Sequence, residues 1–272
     1  MLEVELAGDH IDLPSFPEIA LRVRRALADE NVSIDQVVRV VSAEPSLVVR
    51  VLQLGNSAAL NPGGRRLTDL RAAMTRIGFN MARSATIAFA MSQLRRADAY
   101  KGLDKPFAEL WRTSTQVAAM SFVVARRQGR VNAELALLAG LLHTVGKLYL
   151  LTRASRYPEL IKDPVVYSAL VEAWHARIAQ AILVNWDMAP AVVDAVQGFE
   201  ACDREREGEI DLLDVLWVAR SLAALPRPAS VIPPGLLESH PARRLGLTAA
   251  GCDVVLVECG QEIDSLTSAL GD

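Results

Sequence analysis

The sequence predicts an all-α fold, with a bundle of about five short helices followed by a second, larger helical bundle. Three observations carry this. Apolar residues recur at spacings of three and four through most of the chain. Helix-starting residues (Ser33, Pro45, Asn80, Pro190) stand just ahead of several of those stretches. Alternating Val/Ile/Thr runs bounded by Asn-Gly or Asp-Gly turns, the mark of hairpins, are missing.

In chain order, "LPSFPEIALRVRRALADE" is an extended, Pro-rich lead that becomes helical at about Glu18, with Ile19, Val23 and Ala26/Leu27 on one face. In "SIDQVVRVVSAE", Ser33 and Gln36 have the capping-box spacing. Pro45 suits the first turn of "PSLVVRVLQLGNSA", where its missing N–H is not needed. "NPGGRR" breaks the chain. "LTDLRAAMTRIGFNMARSATIAFAMSQL" then reads as a helix ending near Gly78 and a second one capped by Asn80.

The polar "RRADAYKGLDKP" links the halves. Beyond it, "FAELWRTSTQVAAMSFVVARR" is strongly apolar, and "NAELALLAGLLHTV" is apolar almost all round, as a central helix should be. "YSALVEAWHARIAQAILVNW" and "APAVVDAVQGFE" follow. Five prolines between Pro226 and Pro241 mark a loop with a short helix at "GLLESH", and a terminal helix from about Thr248 to Leu270 ends the chain.

The 272 residues are 51% hydrophobic and 22% charged, ordinary for a globular protein. The longest apolar run, Leu135 to Leu151, carries His143 and Lys147 inside it and is too short for a bilayer span. The start "MLEVELAGDH" lacks the basic and apolar regions of a signal peptide. A cytoplasmic protein without membrane contact is expected. Cys202, Cys252 and Cys259 have no C-x-x-C spacing and are expected to be free thiols. Charge is unevenly spread: Arg50 to Arg96 holds eight arginines and one acid, whereas Gln197 to Asp272 holds thirteen acids and six arginines. Such a split fits docking between the two ends, or a partner that reads one end, beside the plainer reading of a solvated, arginine-rich helix surface.

The four histidines allow a metal site to be tested almost by exhaustion. His10 precedes the first helix and His240 lies in the Pro-rich loop, leaving His143 and His175. Two imidazoles are too few for a hydrolytic metal centre, which needs three or more protein ligands including carboxylates. Glu172, Asp187 and Asp194 are near in sequence but have no helical spacing that ties them to His143. Both imidazoles are expected to hydrogen-bond to backbone carbonyls or hydroxyls inside the bundle. No G-x-S-x-G, Walker or G-x-G-x-x-G pattern is present. The paired helices around Gly78 superficially suggest a helix-turn-helix, but "ARSATIAFAM" is too apolar for a recognition helix, so direct DNA binding is not expected.

Taken in order, "LPSFPEIALRVRRALAD", "VSAEPSLVVRVLQLGNSA", "LTDLRAAMTRIGFNMARS" and "LAGLLHTVGKLYLL" strongly resemble the HDOD proteins, bacterial signalling modules related to HD-type metal-dependent phosphohydrolases. The resemblance runs from about Leu13 to Glu200. It implies an HD-like helical bundle in the later half and an HDOD unit over 13–207, divided into 13–96 and a part from about 105, with 208–272 as a helical extension packing on the HD-like part.

Carried over by position, the first metal-binding His of the HD enzymes falls at Thr113. Their adjacent His-Asp pair falls at His143 and Thr144, and a later His at His175. The place of a closing His-His reads "QGFE", with Gly198 to Glu200 as replacements. Gly146 and Lys147 fit the rest of the motif, Gly146 allowing a turn after the helix and Lys147 serving as a surface charge at a helix start. A threonine hydroxyl is a poor ligand beside a carboxylate, so the resemblance implies an inherited fold without cofactor, metal or catalysis. The implied role is a regulatory module of two-component or cyclic-di-GMP signalling, binding a sensor kinase, a response regulator or a GGDEF/EAL protein. Two alternatives are a residual phosphohydrolase, its metal held by His143, His175 and carboxylates from elsewhere, and a sensor that binds a nucleotide or another anion. Candidate partner- or anion-binding residues are Arg65, Arg66, Arg71, Arg76 and Lys147.

Overall fold

The computed structural model describes residues 18–29, 31–94, 103–154, 156–201 and 206–271. The Pro-rich lead, His10, Cys202 and the "RRADAYKG" stretch of the linker lie outside the described residues. Within them the chain is all-α, with no strand.

The first half is built from α1 (Glu18–Leu27), α2 (Ile34–Ser42), α3 (Pro45–Gly55) and α4 (Leu70–Leu94). Ser33 and Gln36 form the capping box that their spacing predicts, and Pro45 opens α3. As expected from the sequence, α4 is two helical arms that part at Gly78. Gly78 sits at φ 74° and ψ 172°, a conformation that breaks the helix path and that a residue with a side chain rarely adopts. Both α1 and α3 pack on α4, burying Val23, Leu47, Val51, Leu54, Met74 and Met81.

The second half centres on α5 (Asp104–Gln128) and α6 (Ala133–Leu142), which form the most extensive helix pair in the molecule. Their close approach requires Gly140, because a Cβ there would lie 2.6 Å from the Ala118 Cα. After the elbow at His143 and Thr144 come α7 (Val145–Ala154), the short α8 (Pro158–Lys162), α9 (Pro164–Asn185), α10 (Pro190–Gly198) and a 3₁₀ turn (Phe199–Ala201). Then α11 (Leu212–Ala223) returns to pack on α5 and α6.

The 22-residue stretch Ala133–Ala154 is apolar and long enough to cross a membrane, contrary to the length argument made from Leu135–Leu151. It is nevertheless two helices, and 83% of its apolar window is buried inside the fold, as expected of a bundle centre.

In the C-terminal part, α12 (Pro234–Glu238) is the short helix expected at "GLLESH", and α13 (His240–Arg244) follows it unforeseen. The helix expected from about Thr248 to Leu270 is present but divided into α14 (Ala249–Asp253), a π-helical turn (Val254–Glu258) and α15 (Gly260–Gly271). Thr248 does cap the start, accepting from the Gly251 N–H at 3.1 Å. The buried thiols of Cys252 and Cys259 lie around the π turn.

The last helix packs on α5 and also on α3 and α4, a wider footing than an extension resting on the later half alone. Arg50 donates to the Leu270 carbonyl, the Ala58 N–H to Ser265 Oγ at 3.0 Å, and Trp111 Nε1 to the Gly271 carbonyl at 3.3 Å. Thus α15 bridges the two halves, beside the direct packing of α4 on α6.

Candidate functional site

His143 ends α6 in helical conformation, and Thr144 forms the elbow before α7. The elbow is held because the Thr144 carbonyl accepts from the Leu148 N–H at 2.9 Å and opens the next helix. Around it converge α5, α9, the 3₁₀ turn and α11.

His143 is 1% exposed. Its Nδ1 lies 2.6 Å from the Gly140 carbonyl, which can only accept, so Nδ1 carries the proton and Nε2 is the bare nitrogen of a neutral ring. Burial, helped by the positive charges of Arg220 and Lys147, lowers its pKa to about 4 despite the favourable carbonyl bond. The Phe199 ring meets it edge-on at 5.7 Å. This is the ring orientation of many metal-ligating histidines, fixed by the nitrogen that faces the protein.

What stands beside it is different. Thr144 is 2% exposed, and its hydroxyl contacts that of Ser114. Ser114 Oγ also donates to the Leu110 carbonyl at 2.9 Å, so the Thr144 hydroxyl is the donor between the two. Thr113, the position assigned by resemblance, is half-buried and bonds back to the Glu109 carbonyl at 2.9 Å. The next residue, Ser114, is the one that the helix turns fully inward and against Thr144. The buried register Phe107, Trp111, Ser114, Ala118 on α5 is a helical stripe that could have identified it.

The third feature is ionic. Glu200, on the 3₁₀ turn, places one carboxylate oxygen 2.5 Å from His175 Nε2 and the other 2.9 Å from Lys147 Nζ. Burial alone would raise its pKa, but the bonds from His175 and Lys147 outweigh that and hold it at about 2. Lys147 is therefore half of an ion pair, not merely a surface charge at a helix start. The partner of His175 is a carboxylate, not the backbone carbonyl or hydroxyl expected from the sequence.

Gly146 does not turn the chain. It lies inside α7, where a Cβ would come 2.0 Å from the His175 carbonyl oxygen, so its role is to let α9 close onto α7. Gly198 likewise leaves room for Leu213.

A metal of the kind the HD enzymes hold needs a carboxylate next to His143 and two or more further ligands. Among the described residues no group of three or more His, Cys, Asp and Glu side chains is placed to hold an ion. Thr144 offers a hydroxyl turned to Ser114, and His175 is engaged with Glu200. This donor set does not fit such a metal.

The arginines singled out in the sequence lie elsewhere and do not share one role. Arg71 pairs with Asp35 through two bonds of 2.5 and 2.8 Å. Arg76 is exposed on the first arm of α4, and Arg65 and Arg66 are exposed on the loop before it. Of the four, Arg66 lines a cleft of about 860 Å³ between α3, that loop and α15.

The HDOD domain family model matches residues 13–201. A candidate metal-dependent phosphohydrolase from Shewanella amazonensis SB2B superposes with a TM-score of 0.82 at 25% identity, covering 99% of this chain and 96% of its own. An HDOD domain protein of unknown function from Geobacter sulfurreducens gives 0.69 at 22% identity, covering 99% and 98%. An uncharacterized protein of Treponema pallidum (strain Nichols) is 23% identical over 213 residues, 72% of this chain and 39% of that relative. The chain thus spans about two-fifths of the length of that curated relative.

Proposed function

The chain belongs to the HDOD domain family, and from that premise we propose that it is a non-enzymatic signalling module that acts by binding other proteins. The observation that supports this most is Thr144. Where an HD enzyme has the aspartate of its His-Asp pair, this chain has a buried hydroxyl satisfied by Ser114. A metal-activated water needs that carboxylate to hold the ion and orient the ligand shell. His143 keeps the tautomer of a ligand without the companions of one.

The surrounding residues have structural work in place of catalysis. Glu200 ties α7 and α9 together through Lys147 and His175. Burial, helped by Arg220 and Lys147, disfavours a positive charge at His143. The result is a rigid elbow at the centre of the bundle, a scaffold whose outer surfaces are free to bind. Sensor kinases, response regulators and GGDEF/EAL proteins are the partner classes that the family resemblance suggests.

The test is hydrolysis of p-nitrophenyl phosphate and bis-p-nitrophenyl phosphate in the presence of Mn, Fe or Zn. The expected rate equals that of buffer plus metal, and is the same for Thr144→Val. Turnover above that background which disappears in His143→Ala would instead assign a phosphohydrolase.

A further inference from the structure

Two neighbouring depressions run along the outer face of α3. The larger is the cleft of about 860 Å³, with Val49, Leu52, Leu67 and Ala269 as its apolar surface and Asn56 and Arg66 among its polar ones. The smaller, about 210 Å³, lies toward Phe89, Ser92 and Gln93 of α4 and shares Val49 and Gln53 with the first. Together they form one groove that follows α3 from Ser46 to Asn56, roughly 15 Å at 1.5 Å per helical residue. Five extended residues, or three turns of a helix, would fill it.

Two features of this groove call for a guest. Val49 sits mid-helix at the junction of the depressions and is 54% exposed, one of the large apolar side chains that the fold leaves uncovered. The charge is one-sided. Among the described residues neither depression is lined by an Asp or Glu, and the charged lining residues are Arg50 and Arg66. Arg50 is buried against the Leu270 carbonyl, whereas Arg66 is exposed, with no carboxylate paired to it among the described residues. The sequence around them, Arg50 to Leu94, contains six arginines and a single acid, Asp69.

We propose that this groove is a docking surface for an acidic segment of a partner protein. An aliphatic side chain of the guest rests against Val49, Leu52 and Leu67, and a carboxylate pairs with Arg66. An aliphatic wall with one accessible guanidinium suits a peptide of that kind better than a nucleotide. The larger cleft has no aromatic ring on which a base could stack, and one arginine is a poor match for several phosphate charges. The inference rests on the reading of the chain as an interaction module and specifies where that interaction takes place.

The probe is a set of dodecapeptides enriched from a random phage-displayed library on the purified full chain, resynthesised with fluorescein and titrated by anisotropy. The expected peptides combine Asp/Glu with Leu, Ile or Val. Val49→Asp and Arg66→Glu should each weaken them at least tenfold, while Arg76→Glu, outside the groove, should change the affinity less than twofold. Both groove substitutions are at exposed positions, and unchanged thermal melting confirms that the variants fold.

Failure to enrich any peptide, or enrichment without acidic residues, overturns the proposal. So does self-association of the chain that Val49→Asp abolishes, or displacement of the peptides by a cyclic dinucleotide held by Arg66. Acidic peptides that bind both groove variants undiminished overturn the groove but leave the interaction reading standing. Metal-dependent turnover in the hydrolysis assay removes that reading whatever the peptides do.

Discussion

Acid should weaken this fold through one buried imidazole. His143 has an ordinary value of 6.5 when exposed and about 4 in the folded chain. The unfolded state therefore takes up a proton in a window where the folded state refuses it. The contribution is absent above pH 6.5 and grows as the pH falls toward 4. At pH 5 the unfolded form gains about 2 kcal/mol relative to pH 8, approaching about 3 kcal/mol at pH 4, from one proton and 1.36 kcal/mol per tenfold step.

Other groups also titrate, so the comparison is with His143→Gln, whose amide can still donate to the Gly140 carbonyl but carries no proton equilibrium. Urea unfolding of both proteins at pH 8 and pH 5 should show the native chain losing about 2 kcal/mol more than the variant. In parallel, the His143 ring signals in NMR should stay at their neutral positions down to about pH 5. Equal pH slopes for the two proteins, or a ring that titrates near 6.5, would refute the burial argument and with it the neutral tautomer assigned above.

Three further outcomes follow from the same geometry. Glu200→Gln should destabilise the fold at neutral pH by about 1 kcal/mol, a figure discounted because the carboxylate is more than a third exposed. Since the folded pKa of Glu200 is depressed to about 2, the difference should be full above about pH 5 and shrink as the pH falls through the acid range in urea titrations. Gly146→Ala should cost about 1–3 kcal/mol in thermal or chemical unfolding, because its methyl group meets the backbone oxygen of His175 rather than a movable side chain. Asp214→Ala should cost about 3–5 kcal/mol, since Asp214 is fully buried between Arg206 Nη2 at 2.6 Å and Arg244 Nε at 2.9 Å. A loss below 1 kcal/mol would show the two arginines to be satisfied without it.

The bundle was legible because its signals are local. The capping box at Ser33, the prolines that open α3 and α10, and the apolar all-round α6 each follow from a few neighbouring residues. The break at Gly78 was legible too, because a glycine between two apolar-periodic stretches marks where the first helix stops. The π turn within Val254–Glu258 leaves no mark that helical spacing can read.

At the site, His143, Thr144 and His175 came from the resemblance, and the structure places them around one elbow. Ser114, which contacts Thr144, was not among the residues that the resemblance supplied, although it belongs to the buried stripe on α5. The role of Glu200 depends on a contact with Lys147 across 53 positions, information that no local window contains. The arginine excess was visible as composition, but its separation into Arg71, spent on Asp35, and Arg66, open in a groove, required coordinates.

The central claim is that the His143 elbow is a closed scaffold and not a metal centre. The most direct measurement is the metal content of the full chain purified without chelator, beside that of His143→Ala, by plasma mass spectrometry. The account predicts far less than one equivalent of Mn, Fe or Zn in both proteins, with no difference between them. Near-stoichiometric metal in the native chain, lost in His143→Ala, would contradict it.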